Sequence, residues 1–397
     1  MTDIEKCEVC GSSALIPVLD LGMQPLTDDL VEIGSKRECK KYPIEIVFCD
    51  FCKTAHQRHQ VPKQTIFHPE YHYRAKQTND VLDGMRQFAD SVEKHGLVRG
   101  LKVLDVGCND GSLLDIFQDR GAVTFGVDPI EAVWEAQTRH TVYKKFFCYQ
   151  WASEFFNKHG APDLITFTNV FAHIEDLDDV IDALNVIKHA GTRIVIENHY
   201  LGSVLYRHQF DTFYHEHPRT YSYTSFVHIA ARLGMYMEWV EFPERYGGNI
   251  RVFLAPGEAH PGNPRYMHPE RDFRKRMEAM GDQVQHWRRN KRAELRPYER
   301  FSCAAFPARA SVLINLLGLD TSSVEAVFEK TGSKKIGYYV PGTRIPIKDD
   351  DQAIKFFSHD DIVLNLAWHI PHEIEARWRA NGFKGRFIQA ISEEDFR

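Results

Sequence analysis

Five side chains able to take up, give or relay a proton fall between Asp211 and His217: Asp211, Tyr214, His215, Glu216 and His217. They lie in the stretch F-D-T-F-Y-H-E-H-P-R-T-Y-S, Phe210 to Ser222. A neutral imidazole beside a carboxylate and a phenol moves protons near pH 7. The same residue types also serve cores, and H-x-H spacing can ligate a metal. The elements around the cluster must decide its role.

Those elements read as an open α/β sheet. The apolar run Leu101–Val106 enters the turn G-C-N-D-G, Gly107 to Gly111, and a helix starts at Ser112. Glycines at such a turn let a ligand approach the backbone. The following strand, Ala122–Val127, ends at Asp128, where a carboxylate suits a ribose diol. The close glycine pair of G-x-G-x-x-G, which admits a dinucleotide pyrophosphate, is absent. D-V-G-x-x-x-G with a strand-end acid resembles the S-adenosylmethionine turn of Rossmann-like methyltransferases. A further strand ends at Asn169, and another runs from Thr192 to Glu197. Candidate cofactor contacts are therefore Asp105, Gly107, Asn109, Gly111, Asp128 and Asn169. The Tyr/His/Glu cluster follows the Thr192–Glu197 strand, on the side where an acceptor would sit. In the late strand G-G-N-I-R-V-F-L, Arg251 suits either an acidic substrate group or ordinary surface pairing.

Near the N-terminus, Cys7-Glu8-Val9-Cys10 and Cys49-Asp50-Phe51-Cys52 form two C-x-x-C knuckles. Each can grip one side of a tetrahedral zinc ion, and four thiolates leave no open position for catalytic water. The expectation is a structural zinc on Cys7, Cys10, Cys49 and Cys52, with redox chemistry as the rival. Cys39, in S-K-R-E-C-K-K, reads as a bystander. Strands are expected over Leu15–Leu21 and Tyr42–Phe48, with L-G-M-Q-P-L as a turn.

The chain has 397 residues, 43% hydrophobic and 26% charged, with a formal net charge of −6. This is an ordinary globular balance. It disfavours nucleic acid and anionic membranes as partners, since both select basic surfaces. The N-terminus, M-T-D-I-E-K-C, has no apolar signal region and no run resembles a membrane span, so a cytoplasmic location is expected. Phe273, Met277, Met280, Val284 and Trp287 have helical spacing. They predict a long amphipathic helix joining two lobes, with Arg288–Arg292 on a solvated face. A second, smaller α/β pattern follows. The expected organisation is a zinc module over 1–75 and a methyltransferase domain over 76–258. A linker and helix over 259–298 and a Rossmann-like domain over 299–397 complete it.

Taken together, the knuckles, L-G-M-Q-P-L, D-V-G-C-N-D-G, N-V-F-A-H-I, F-D-T-F-Y-H-E-H, G-G-N-I-R, P-G-T-R-I-P-I and L-A-W-H-I-P-H-E-I resemble one family along nearly the whole chain. It is the sugar C-methyltransferases that act on nucleotide-linked 4-keto-6-deoxy sugars. The resemblance implies a zinc-binding module, a central class I S-adenosylmethionine domain and a C-terminal Rossmann-like α/β domain, with the sugar between them. It places site roles on Tyr214, His215, Glu216, His217 and His173, and on Tyr71 or Tyr73. The implied activity is methylation at C3 of the keto sugar; separately, a monomer or weak homo-oligomer is expected. His217 is expected as base, and Tyr214 or His173 as donor to the enolate oxygen. Glu216 is expected to orient an imidazole or contact a sugar hydroxyl. The chain departs from the family where a glycine-rich start to the last domain becomes F-S-C-A-A-F-P-A-R-A, Phe301–Ala310. It departs again where V-D-R-N becomes Phe328-Glu329-Lys330-Thr331, and where a His before G-G-S becomes Tyr246. The base, the thymine common in the family, guanine or another, stays open. The rival readings are an O- or N-methyltransferase on a nucleotide sugar and a zinc-ribbon RNA-binding protein.

Overall fold

The structure, a computed structural model, describes residues 1–67, 74–77, 79–257 and 270–396. Tyr71 and Tyr73 lie outside the described residues.

Strands Leu15–Pro25, Lys41–Cys49 and Thr54–Gln57 form an antiparallel sheet beside the cysteine knuckles. The L-G-M-Q-P segment continues the first strand past a register shift at Asp20/Gly22, rather than turning. The fourth strand of this sheet comes from far along the chain. Arg219–Thr220, just beyond His217, pairs antiparallel with Ala55 and His56. The module is thus knitted to the proton-handling stretch by backbone hydrogen bonds.

The central sheet has seven strands, in the order Met235–Glu241, Asn249–Pro256, Arg193–His199, Leu164–Thr168, Lys102–Val106, Val123–Val127 and Thr141–Tyr143. The last five in this order run parallel, and the Asn249–Pro256 hairpin closes one edge antiparallel. Strand order reverses between Lys102–Val106 and Leu164–Thr168. In an open sheet the ligand crevice opens there, at the strands' carboxyl ends. Parallel strands are covered on both faces and so read as near-continuous apolar runs. Val103, Leu104, Ile165, Phe167, Ile194 and Ile196 fit that rule and are buried.

The C-terminal sheet is wholly parallel, in the order Ile347–Asp349, Val324–Glu329, Phe301–Ala304, Ile362–Asn365 and Arg386–Gln389. A long helix, Phe273–Leu295, packs on Leu15–Pro25 and Leu201–Tyr206 on one side and on Ala310–Leu317 and Glu393–Phe396 of the C-terminal lobe on the other. Its buried stripe is the expected one, Phe273, Met277, Met280, Val284 and Trp287. Each such side chain contributes about 1.5–3 kcal/mol by burial. Trp287 packs edge-on against Phe210, with centroids 4.7 Å apart, and donates Nε1–H to the Ala390 carbonyl at 2.8 Å. The basic run is less exposed than its composition suggests. Lys291 is buried, its ammonium held by Glu294, Asp395 and the Gln389 carbonyl. Among the described residues no helix is long and apolar enough to cross a membrane.

Candidate active site

The ligating atoms of Cys7, Cys10, Cys49 and Cys52 all lie within 4.8 Å of one another. Cys7 and Cys52 sulfurs are 3.3 Å apart, and Cys10 and Cys49 sulfurs 3.6 Å. Tetrahedral zinc–thiolate bonds of about 2.3 Å require sulfurs roughly 3.8 Å apart, so the cluster fits the ion with little adjustment. Buried His56 places Nε2 at 3.3 Å from the Cys7 sulfur, and its other nitrogen faces Glu8 at 3.4 Å. Glu8 in turn pairs with Arg219 at 2.7 Å. Arg219 is fully buried and also donates to Tyr221 Oη and to the Ile174 and Glu175 carbonyls. The knuckles therefore reach both the segment after His173 and the segment after His217.

In the central sheet, Gly107 and Gly111 have φ of 75° and 82°. A Cβ at Gly107 would sit 2.4 Å from the Val170 side chain, and one at Gly111 2.5 Å from Ala136. Neither position admits a side chain. Asn109, at φ 49°, donates its N–H to Asp128 Oδ2 at 2.9 Å, and Ile130 N–H reaches Oδ1 at 3.0 Å. Each Asp128 oxygen thus keeps a lone pair for a diol. Burial pushes the Asp128 carboxyl up to about 6 against these two N–H donors. Asp105 sits deeper, accepting from Thr166 Oγ1 at 2.6 Å, and burial raises it to about 7. Its contact is with the neighbouring strand beneath the turn. Asn169, at φ 55°, accepts from Asn249 Nδ2 at 3.2 Å. Among the described residues, Thr168 Oγ1, Asn198 Nδ2 and Asn249 Oδ1 are buried here without a hydrogen-bond partner. Orphaned polar atoms at the carboxyl edge of a parallel sheet mark where a polar ligand would satisfy them. Ala75 and Lys76 donate backbone N–H to Asn109 and Asp110, fastening the preceding segment onto the turn.

The Y-H-E-H residues split between two faces. Tyr214 and His217 face one another, with ring centroids 4.3 Å apart. His215 faces the cysteine module instead, edge-on to Tyr42 and bonded to its carbonyl at 3.2 Å. Glu216 turns the same way, accepting from Thr27 Oγ1 at 2.5 Å. His217 donates Nδ1–H to the Thr212 carbonyl at 3.0 Å, and His173 donates Nδ1–H to the Glu216 carbonyl at 2.8 Å. Backbone carbonyls orient these two imidazoles, not the Glu216 carboxylate. Around His217 stand His173, 4.8 Å between centroids, and His199, 5.6 Å; Tyr246 is 5.9 Å from His199. Burial pushes His217 well below the usual histidine range, helped by the nearby His173, His199 and Arg309. Burial also holds His173 near 4 and His199 near 3, and raises the Tyr214 phenol well above its usual value.

His199, Tyr246 and Thr27 were not picked out from sequence as site residues. His199 ends a parallel strand, as Asn169 does, so the same strand-end rule points to it. Tyr246 has φ 53°, a strained value for a bulky side chain. Nothing in the spacing around Thr27 signals its contact 189 positions away. Arg251 is neither surface-paired nor free for substrate: it is buried against Glu197 at 2.6 Å and Glu241 at 2.7 Å.

Three family models match in succession: a zinc binding domain over residues 7–67, a methyltransferase domain over 72–257, and a C-methyltransferase C-terminal domain over 246–392. Together the three matches run from residue 7 to residue 392 and support the C-methyltransferase family for this chain. C-methyltransferase NovU of Streptomyces niveus is 28% identical over 415 aligned residues, spanning 98% of this chain and 96% of that protein. A ubiquinone biosynthesis O-methyltransferase of Chromobacterium violaceum is also 28% identical, but over only 26% of this chain and 46% of that protein. The crystal structure of magnesium protoporphyrin IX methyltransferase from Synechocystis PCC 6803 with bound SAM aligns with 45% of this chain and 80% of that one. Its TM-score is 0.34 and its identity 15%. This C-methyltransferase depends on S-adenosylmethionine, and its four-cysteine cluster is a zinc site.

Proposed function

We propose that this C-methyltransferase alkylates C3 of a nucleotide-linked 4-keto-6-deoxy sugar through an enolate, with His217 as base. The observation that carries the reading is the state of His217. Its Nδ1–H is committed to the Thr212 carbonyl, and among the described residues Nε2 has no hydrogen-bond partner. The ring is neutral and buried beside a protonated phenol. That is an oriented base beside a buried proton donor, the pair an enolisation requires.

The C4 ketone acidifies the C3 hydrogen. His217 Nε2 takes that proton, and the C–H electron pair moves into the enolate. Tyr214 donates its O–H toward the growing oxyanion. His173 is the weaker candidate for that donation, because its single proton is held by the Glu216 carbonyl and its low pKa keeps the ring neutral. S-adenosylmethionine, when bound, supplies an electrophilic methyl group that C3 takes as the carbon–sulfur bond breaks. Asp128 would hold the cofactor's ribose, with Gly107, Asn109, Gly111 and Asn169 around it. The zinc would fasten the knuckles that support the Arg219–Thr220 strand, at a distance from the reacting atoms. Positioning between the lobes provides much of the remaining acceleration.

Incubation with dTDP- and GDP-linked 4-keto-6-deoxy sugars, followed by mass spectrometry and carbon NMR of the product, tests the reading. A new methyl on quaternary or tertiary C3 is expected. A methyl found on oxygen or nitrogen would replace it with the O- or N-methyltransferase alternative.

A further inference from the structure

We infer that Arg309 of the C-terminal domain is a positioning residue for the base, holding the turn whose Thr212 carbonyl orients His217. The inference rests on the reading of His217 given above. Arg309 lies in F-S-C-A-A-F-P-A-R-A, Phe301 to Ala310, at the start of the C-terminal lobe.

Its guanidinium is almost wholly buried. Nε donates to Asp211 Oδ2 at 2.8 Å, and one terminal nitrogen reaches Asp211 Oδ1 at 2.6 Å, Thr212 Oγ1 at 2.9 Å and Gln209 Oε1 at 3.2 Å. A bidentate fork of this kind fixes angle as well as distance. Trp368, also from the C-terminal domain, adds an Nε1–H bond to Asp211 Oδ2 at 2.8 Å, and its ring lies 5.1 Å from the guanidinium carbon. All three of these donors to fully buried Asp211 therefore come from the other lobe. The clamped turn, Phe210–Thr212, presents the Thr212 carbonyl to His217 Nδ1. Through Gln209, which donates to the Gly247 carbonyl at 2.7 Å, the same guanidinium also braces the turn that carries Tyr246. One cation thus ties the turn that orients the base to the turn that carries Tyr246, whose ring faces His199 beside the base. Its charge, with His173 and His199, also disfavours a proton on His217, while Tyr214 remains a neutral phenol.

The full-length, cofactor-saturated enzyme is the test. Arg309→Gln should lower kcat by about 10²-fold, the scale of an ångström-sized misplacement, with S-adenosylmethionine affinity within about twofold of wild type. It should also move the acid limb of the kcat/KM profile to higher pH. Loss of the cation and the unpaired Asp211 both favour imidazolium, whereas a purely structural lesion would leave the limb in place. Arg309→Lys keeps the charge and loses the fork, so it should restore the limb but only part of kcat. Should Arg309→Gln fail to fold, Arg309→Lys decides alone: wild-type kcat overturns the inference, and a tenfold or larger fall supports it. Wild-type kcat and limb in Arg309→Gln also overturn it, provided His217→Asn is inactive. If His217→Asn remains active, the reading of the base has failed instead.

Discussion

The central and C-terminal lobes build the same corner from different residues. In the central lobe the first strand, Lys102–Val106, runs into Gly107, and Asn109 at φ 49° donates its N–H to Asp128 at the end of the next strand. In the C-terminal lobe Phe301–Ala304 runs into Ala305 at φ 62°, and Phe306 donates its N–H to Glu329 at 2.6 Å, again at the end of the next strand. The surroundings differ. The central turn carries two glycines and faces orphaned polar atoms. The C-terminal turn carries buried Phe306, with Lys335 bonded to the Phe306 carbonyl at 2.7 Å, and then sends Arg309 into the partner lobe. A strand–turn–acid corner is thus not in itself a ligand site. The glycines make the first corner a cradle. The bulky residues make the second a bracket.

The largest way to disturb this arrangement is to remove the element that braces the loop from Asp211 to His217 from outside. The Arg219–Thr220 strand is held by the zinc module, and a structural zinc contributes folding energy directly. Cys10→Ser should abolish stoichiometric zinc by metal analysis and lower Tm by many degrees. Freshly purified wild-type protein without zinc would contradict the assignment. A smaller effect separates the two corners. Asp128→Ala should weaken S-adenosylmethionine binding by about 10–100-fold in calorimetry, since hydrogen bonds to a charged group are worth about 1.5–3 kcal/mol. Glu329→Ala should leave it unchanged. Because the Asp128 carboxyl sits near 6, its acceptor form is present above that pH and lost below it. Cofactor affinity should therefore hold at pH 7–8 and weaken as pH falls through 6. Equal losses in the two variants would erase the distinction between cradle and bracket.

Glycine exchange gives the smallest effect and probes the corners alone. Gly107→Ala meets Val170 and a positive φ, and overpacking of this kind costs about 1–3 kcal/mol. Ala305→Gly relieves a positive φ at the expense of a floppier unfolded chain. Denaturant melts should place that change within about 1 kcal/mol of zero.

Local chemistry was legible in the sequence where it was contiguous. The knuckles, the D-V-G turn and the helical stripe from Phe273 to Trp287 each carry their signal within a few turns of chain, and the structure forms a four-cysteine cluster, a glycine turn and a helix there. What sequence could not show are meetings across the fold. Thr27 with Glu216, Arg309 with Asp211 and Arg219 with Glu8 join positions whose separation is set by topology, not spacing. Arg251 was misjudged for a related reason. An arginine in a late strand reads as exposed until the buried Glu197 opposite it is known. The direction of each side chain in Y-H-E-H was also hidden, because the stretch is an irregular turn with no period to read.

The most direct test of the account is solvent exchange at C3. The ketosugar is incubated with enzyme in deuterium oxide without S-adenosylmethionine, and deuterium at C3 is followed by NMR. Wild-type enzyme should exchange this hydrogen, and Tyr214→Phe should do so more slowly. His217→Asn should show no enzyme-dependent exchange while still binding the cofactor, with methyl transfer lowered by about 10²–10⁴-fold. Wild-type exchange in His217→Asn, with exchange lost in Tyr214→Phe, would make the tyrosine the base and contradict the account.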